Sequence, residues 1–323
     1  MRFPDRADLT ILFAHPAYRL GDEFGGREPG IRFLEVRTPQ ELESRLAEAD
    51  VLVVSGLWRN ELLDRPGRLR FIQSISAGTD QYARDRLRDK GVRLASAQGA
   101  NERAVAEHGI SLILALTRQL HRARDHQAAR HWRGMISDRA QREDELEGKT
   151  LAIVGLGRIG SRLAGLARAF GMRVIAIKRN ADSVPDGIDA VLRPDRLSDA
   201  LGQADFVALT CPLTPETEGL IGAPELAAMK PSAFLINLAR GRVVDEGALV
   251  ETLWAGAIAG AGLDCFHDEP LPDSSPFWAM EQVIVTPHSA GETRRYETNV
   301  VDLLIENLDR LSRGDPALKN QIV

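Results

Sequence analysis

"LAIVGLGRIG", Leu151 to Gly160, decides the fold. A short apolar strand pattern runs directly into Gly155-x-Gly157-x-x-Gly160. The residues that follow, "RIGSRLAGLARAF" (158–170), carry the apolar spacing of an amphipathic helix. Strand, glycine turn and helix in this order make a phosphate cradle. Gly155 permits the tight turn, Gly157 lets the backbone approach a pyrophosphate, and Gly160 lets helix and strand pack closely. The helix start offers N–H groups and the positive end of its dipole to the phosphates. The stretch therefore implies a bound dinucleotide. It opens near the middle of a 323-residue chain, so the residues before it need another task.

Working outward, the β-α alternation continues after the cradle. Strands fit "RVIAIK" (173–178), "AVLR" (190–193), "DFVALTC" (205–211), "AFLINL" (233–238), "GAGLDC" (260–265) and "VIVTP" (283–287). Helices fit 158–170, 223–229 and 245–256, with a last helix at about 292–312. Before the cradle, "NERAVAEHGISLILALTRQLHRARDHQAARHW" (101–132) is one helical stretch or two helices, its first half buried. A polar surface connection follows at 137–149. Earlier still, strands fit 9–14, 31–36, 51–56, 70–76 and 92–96. A helix fits 38–49, with Thr38 as N-cap, Pro39 in the first turn and Glu41 completing a capping box.

The pattern predicts an α/β protein of two doubly wound, parallel-sheet domains of Rossmann or flavodoxin type. The simplest topology is an insertion. Residues 101–291 form the dinucleotide-binding domain within a substrate domain made of 1–100 and 292–323. Such sheets bind ligands beyond the carboxyl ends of their strands.

Composition narrows the function classes. The chain is 44% apolar, with 41 basic and 46 acidic residues and a net charge of −5. There is no long basic run, so nucleic acid is not an expected partner. No apolar run reaches the about 20 residues of a membrane span, and the first residues lack a signal-peptide core. The only cysteines, Cys211 and Cys265, sit in strand-like surroundings, which points to a cytoplasmic protein without a disulfide framework. The seven histidines show no metal-binding spacing, so no metal is expected.

An NAD site calls for Asp or Glu at the end of the second strand of the cofactor domain. Here Lys178 and Arg179 occupy that place. A carboxylate would accept from the ribose 2′-hydroxyl and repel a 2′-phosphate; two cations attract it. NADP is therefore expected over NAD.

Three stretches carry further chemistry at strand ends: "INLARG" with Asn237 and Arg240, "LDCFHDEPLP" with Asp264 and Glu269, and "VIVTPHSAG" with His288. With Gly155–Gly160, Asn237–Gly241, Asp268–Pro272 and Thr286–Gly291 in this order, the chain resembles the D-isomer-specific 2-hydroxyacid dehydrogenase family over nearly its whole length. "ISAGTDQY" (75–82) and "NERAVAEHGISLILAL" (101–116) resemble that family's substrate loop and first interdomain helix. The resemblance implies hydride transfer between a nicotinamide cofactor and a small 2-oxo or 2-hydroxy acid. It implies glyoxylate and hydroxypyruvate as leading substrates, and a homodimer paired through the cofactor domain.

The residues account for that chemistry directly. Arg240 suits a bidentate clamp on a carboxylate. His288 can exchange a proton with the carbonyl oxygen near neutral pH. Glu269 can orient the imidazole and favour its charged form. By the resemblance, the Ala77-Gly78 backbone donates to the substrate carboxylate and Asp264 lies beside the nicotinamide carboxamide. Arg158 and Ile159 offer backbone to the pyrophosphate, Cys211 and Pro212 line the adenosine side, and Asn237 joins the cofactor contacts. An ordinary turn at Ala77-Gly78 and a buried strand-end cap at Asp264 are the bland alternatives. Trp132 and His131 fit either a partner's cleft or plain interface packing, and Asn101 either the cleft or a helix cap. A non-catalytic, dinucleotide-sensing corepressor of the same family, and a cofactor-free interaction protein, remain the alternative functions.

Overall fold

A computed structural model describes residues 3–181 and 183–323. The chain divides into two compact units. One runs to Asn101 and resumes over Glu292–Val323; the other is Glu102–Gly291.

The first unit alternates β1 (Thr10–Ala14), α1 (Leu20–Gly25), β2 (Arg32–Val36), α2 (Pro39–Arg45), β3 (Val51–Val54), β4 (Phe71–Ser74), α3 (Arg84–Asp89) and β5 (Arg93–Ala95). Its five strands are all parallel, in the order β2-β1-β3-β4-β5. Both faces are covered, so the central strands read as continuous apolar runs. Ile11, Phe13, Val51, Val53 and Phe71 bury one face, and Leu12, Leu52, Ile72 and Leu94 the other. Helix α2 starts as its sequence dictates: Thr38 accepts from the Glu41 N–H at 3.2 Å, and Glu41 accepts from the Thr38 N–H at 3.1 Å.

The second unit contains α4 (Glu102–Thr117), α5 (Leu120–Ala128), β6 (Thr150–Val154), α6 (Arg158–Ala169), β7 (Arg173–Ile177), β8 (Ala190–Leu192), α7 (Leu197–Gln203), β9 (Phe206–Leu209), α8 (Ala223–Ala228), β10 (Phe234–Asn237), α9 (Glu246–Trp254), β11 (Gly260–Leu263) and β12 (Val283–Val285). Its seven parallel strands run β12-β11-β10-β9-β6-β7-β8. Strand order reverses between β6 and β9. That is the switch point where a doubly wound sheet opens a ligand crevice. No helix among the described residues is long and apolar enough to cross a membrane.

The structure decides one reading that the sequence leaves open and adds short elements that the pattern does not show. The helical stretch at 101–132 is two helices, broken where Gln119 takes a left-handed φ of 51°, and the second ends at Ala128. The short helices α1, α3 and α7 carry too few turns for a periodic signal. Helix α1, "LGDEFG", also holds two glycines in six residues and owes its order to Leu20 and Phe24, which are buried.

The returning segment, α10 (Tyr296–Arg313), belongs to the first unit. It buries Val300, Val301, Leu304 and Leu308 against the sheet. One polar tie accompanies them. The Asn307 amide, fully buried, donates to Gln73 of β4 at 2.9 Å and to the Lys319 carbonyl at 3.2 Å, and accepts from the Lys319 N–H at 2.7 Å. Asn307→Ala leaves the buried Gln73 oxygen without this donor. It should lower stability by roughly 1–3 kcal/mol, read as a fall in the urea midpoint. An unchanged midpoint would show that α10 is held by its apolar face alone.

Candidate active site

The cradle is built by crowding on two sides and space on the third. Gly155 has φ +100°, and a Cβ there would lie 2.7 Å from the Cys211 backbone. A Cβ at Gly160 would lie 2.5 Å from the Gly155 carbonyl, the same oxygen that accepts from Thr210 Oγ1 at 2.7 Å. The ends of β6 and β9 and the start of α6 therefore touch. A Cβ at Gly157 would meet nothing within 4 Å. That open space, at the switch point and in front of the first turn of α6 with Arg158 and Ile159, fits a pyrophosphate.

Around the cradle, Cys211 is buried and its thiol is pushed up to about 11 by burial, so it is a neutral wall. Pro212 beside it is exposed, and its carbonyl accepts from Thr217 at 2.7 Å. Lys178 leaves β7 with its N–H on the Leu192 carbonyl at 3.1 Å. Arg179 is exposed. Glu216 is held below its ordinary value first by the Thr214 hydroxyl, and Arg179 contributes to the same shift.

The loops after β10, β11 and β12 bring the other candidates together. Asn237 ends β10 and is buried. Its amide is committed to its own loop: Oδ1 accepts from Ala239 N–H at 3.0 Å, and Nδ2 donates to the Arg240 carbonyl at 3.1 Å. Asn237 thus shapes the turn that carries Arg240. At Gly241 a Cβ would lie 1.9 Å from the Phe266 carbonyl carbon, so only glycine lets this loop press against the next. The next loop carries Glu269, whose Oε1 also accepts from the Phe266 N–H at 3.0 Å.

His288 Nδ1 lies 3.0 and 2.8 Å from the two Glu269 oxygens. Both side chains remain open to solvent, at 44% and 37% exposure, so a small molecule can reach them. Burial pushes the Glu269 carboxyl up. The His288 hydrogen bond, the Phe266 N–H and the nearby charges of His288 and Arg240 outweigh it and hold the group below its ordinary value. With Nδ1 engaged, Nε2 is the nitrogen available for proton exchange.

His288 has a left-handed backbone, φ +53°, a conformation that disfavours a non-glycine residue by roughly 1–2 kcal/mol. Asp264 holds it there. This buried carboxylate accepts from Thr286 Oγ1 at 2.6 Å, from Ser289 N–H at 3.0 Å and from Ala290 N–H at 3.1 Å. His108 on α4 stands 3.1 Å from Thr286 Oγ1. The resemblance implies a place for Asp264 beside the nicotinamide, with a buried strand-end cap as the alternative; in the structure its oxygens clasp the His288 loop. In the sequence Thr286 and His108 carry no role of their own: Thr286 stands inside the Thr286–Gly291 motif beside the more reactive His288, and His108 lies in a largely apolar helix.

Ala77 and Gly78 lie in the first unit, in the turn after β4, half-buried. Neither N–H has a protein acceptor among the described residues.

Comparison with known proteins accords with these features. The profile described as "D-isomer specific 2-hydroxyacid dehydrogenase, NAD binding domain" matches residues 110–290. Glyoxylate reductase of Aeropyrum pernix is 36% identical over 297 residues, 88% of this chain and 87% of that protein. D-3-phosphoglycerate dehydrogenase of Methanocaldococcus jannaschii is 34% identical over 287 residues, 87% of this chain; the chain spans about half that relative's length, the match covering 53% of it. Among solved structures, the NADPH-dependent glyoxylate/hydroxypyruvate reductase of Sinorhizobium meliloti, in complex with NADP and malonate, aligns with a TM-score of 0.82 at 25% identity, covering 98% of this chain and 97% of that one. The chain belongs to the D-isomer specific 2-hydroxyacid dehydrogenase family and is an oxidoreductase.

Proposed function

We propose that this protein reduces a small 2-oxo acid, of the glyoxylate or hydroxypyruvate kind, to the D-2-hydroxy acid with NADPH. The observation that carries the reading is the His288–Glu269 pair, both oxygens of the carboxylate within 3.0 Å of Nδ1, with Arg240 close enough to act on the same carboxylate. The glyoxylate reductase and NADPH-dependent reductase among the compared proteins support the substrate and cofactor class. In this reading Glu102–Gly291 binds the dinucleotide and the remaining residues form the substrate domain. Exposed Trp132 and Met135 support a homodimer through the cofactor-binding unit, and two buried free cysteines support a cytoplasmic setting.

A nicotinamide cofactor, when bound, would supply the hydride. The chain's own residues do the rest. Arg240 fixes the substrate carboxylate. Protonated His288 hydrogen-bonds the carbonyl oxygen through Nε2, polarises it and delivers the proton as negative charge develops there. Glu269 stabilises the imidazolium and fixes the ring. In oxidation His288 takes the proton back.

A panel of 2-oxo acids assayed with NADPH tests the reading. Turnover should be found with the small members, and Arg240→Lys, which keeps charge but loses the bidentate geometry, should lower kcat/KM about a hundredfold or more with NADPH binding unchanged. Near-normal turnover in that variant removes Arg240 from the mechanism.

Glu269→Gln tests the pair through pH. Reduction uses the imidazolium, and the carboxylate favours that form. Its loss favours the neutral ring, so activity should fall at a lower pH on the alkaline side than in the parent. An unshifted alkaline limb in folded Glu269→Gln would disprove the pairing.

Cofactor choice is tested at Lys178. The parent should prefer NADPH at least about threefold, and the preference should weaken as salt screens half-buried Lys178 and exposed Arg179. Lys178→Asp should reverse it, since a carboxylate accepts from the 2′-hydroxyl and repels the phosphate. A parent that prefers NADH, or a variant whose preference stays put, contradicts the assignment.

A further inference from the structure

We infer that Thr286 and His108 are positioning residues that hold His288 in its working geometry through Asp264. The inference rests on the catalytic reading of His288 and goes one layer beneath it.

The hydrogen-bond directions are fixed by chemistry. The Asp264 carboxylate only accepts, so the proton in the 2.6 Å contact comes from Thr286 Oγ1. That oxygen is then an acceptor toward His108, whose Nε2 carries the proton across 3.1 Å. The same Nε2 lies 3.6 Å from Asp264 Oδ1. Thr286 stands two residues before His288, and Ser289 and Ala290, whose N–H groups also bind Asp264, directly follow it. Both flanks of the left-handed residue are therefore pinned to one buried carboxylate, and His108 ties that carboxylate and Thr286 to α4.

Helix α4 is a firm anchor. It buries Val105, Ala106, Ile110, Leu112, Ile113 and Leu116 in the second unit. Leu112 lies against Gly262 of β11, where a Cβ would come within 3.2 Å of it. The imidazole of His108 is thus held by a packed element and orients the Thr286 hydroxyl, which sets the direction of the chain entering His288. A 1 Å displacement of a reacting group can lower a rate about a hundredfold.

Asp264 itself is a poor test site, because it is also expected beside the nicotinamide. Thr286→Val keeps the shape and deletes the hydroxyl; Thr286→Ser restores it. His108→Phe deletes the donor; His108→Gln keeps one. Turnover of hydroxypyruvate with NADPH should fall roughly 10- to 100-fold in Thr286→Val and about tenfold in His108→Phe. It should return to within about threefold of the parent in Thr286→Ser and His108→Gln, and NADPH affinity, followed by nicotinamide fluorescence, should stay within about threefold in all four. Because the effect runs through His288, adding Thr286→Val to His288→Ala should lower turnover no further. If Thr286→Val does not fold, the His108 pair carries the same comparison. Parent-like turnover in folded Thr286→Val and His108→Phe overturns the clasp and leaves the catalytic reading standing. So does an equal loss in both backgrounds. Turnover retained by His288→Ala alone overturns the reading of His288 and the clasp with it.

Discussion

Parallel pairing of β10, β11 and β12 is the constraint on which the candidate site depends. The three are adjacent in the sheet, and their register sets Asn237 beside Leu263 and Leu263 beside Val285. Parallel neighbours end at the same edge. Three loops separated by dozens of residues in sequence therefore start from one row. Arg240 comes three residues past that row, Glu269 six and His288 three. The convergence needs no long-range search by the side chains themselves. It also explains Gly241: loops leaving strands less than 5 Å apart collide unless one of them has no side chain at the point of contact.

Buried polar groups at the strand ends turn this crude placement into a defined one. Asn237 and Asp264 are both almost fully buried, and each is used up by its surroundings. A buried carboxylate without partners would destabilise the fold; with backbone N–H groups and a hydroxyl around it, the same group becomes a rigid hub. Hydrogen bonds to a charged group contribute about 1.5–3 kcal/mol each. Several together outweigh the roughly 1–2 kcal/mol of left-handed backbone at His288. The strain sits at His288, whose Nδ1 is paired with the Glu269 carboxylate, and strained backbone clusters at functional positions of this kind.

The fold was legible because parallel strands buried on both faces leave short, unmistakable apolar runs between turns. Every strand expected in the first unit is present within a residue or two of its expected ends, and the capping box at Thr38 formed as its spacing dictates. What carries no sequence signal is local and short. Nothing in "TRQL" signals that Gln119 turns left-handed, since neither glycine nor proline is there. At the site, the residue types that chemistry demands could be picked from motifs, and Arg240, Glu269 and His288 stand on neighbouring loops. The division of labour beneath them could not. Asn237 and Asp264 read in sequence as polar residues at strand ends, suited to a cofactor contact or, at Asp264, a buried cap; the loop contacts they make come from partners that no local pattern shows. His108 and Thr286 meet across 178 positions, a contact no local pattern carries.

Three histidines show why the partner, and not the residue type, assigns the role. His15 stacks on Tyr18 with ring centroids 4.1 Å apart, and its Nδ1 accepts from the N–H groups of Ala17 and Tyr18. Burial, with Arg37 adding to it, pushes it down to about 4, so it is neutral near pH 7 and serves as a structural acceptor. His108 is half-buried on α4 and gives its Nε2 proton to a hydroxyl, so that nitrogen is already committed. His288 alone places one nitrogen on a carboxylate and leaves the other toward solvent. A group that must pick up and release a proton needs an accessible nitrogen and a charge that stabilises the protonated form. Of these three only His288 has both; His15 and His108 spend a ring nitrogen on a fixed hydrogen bond within the fold.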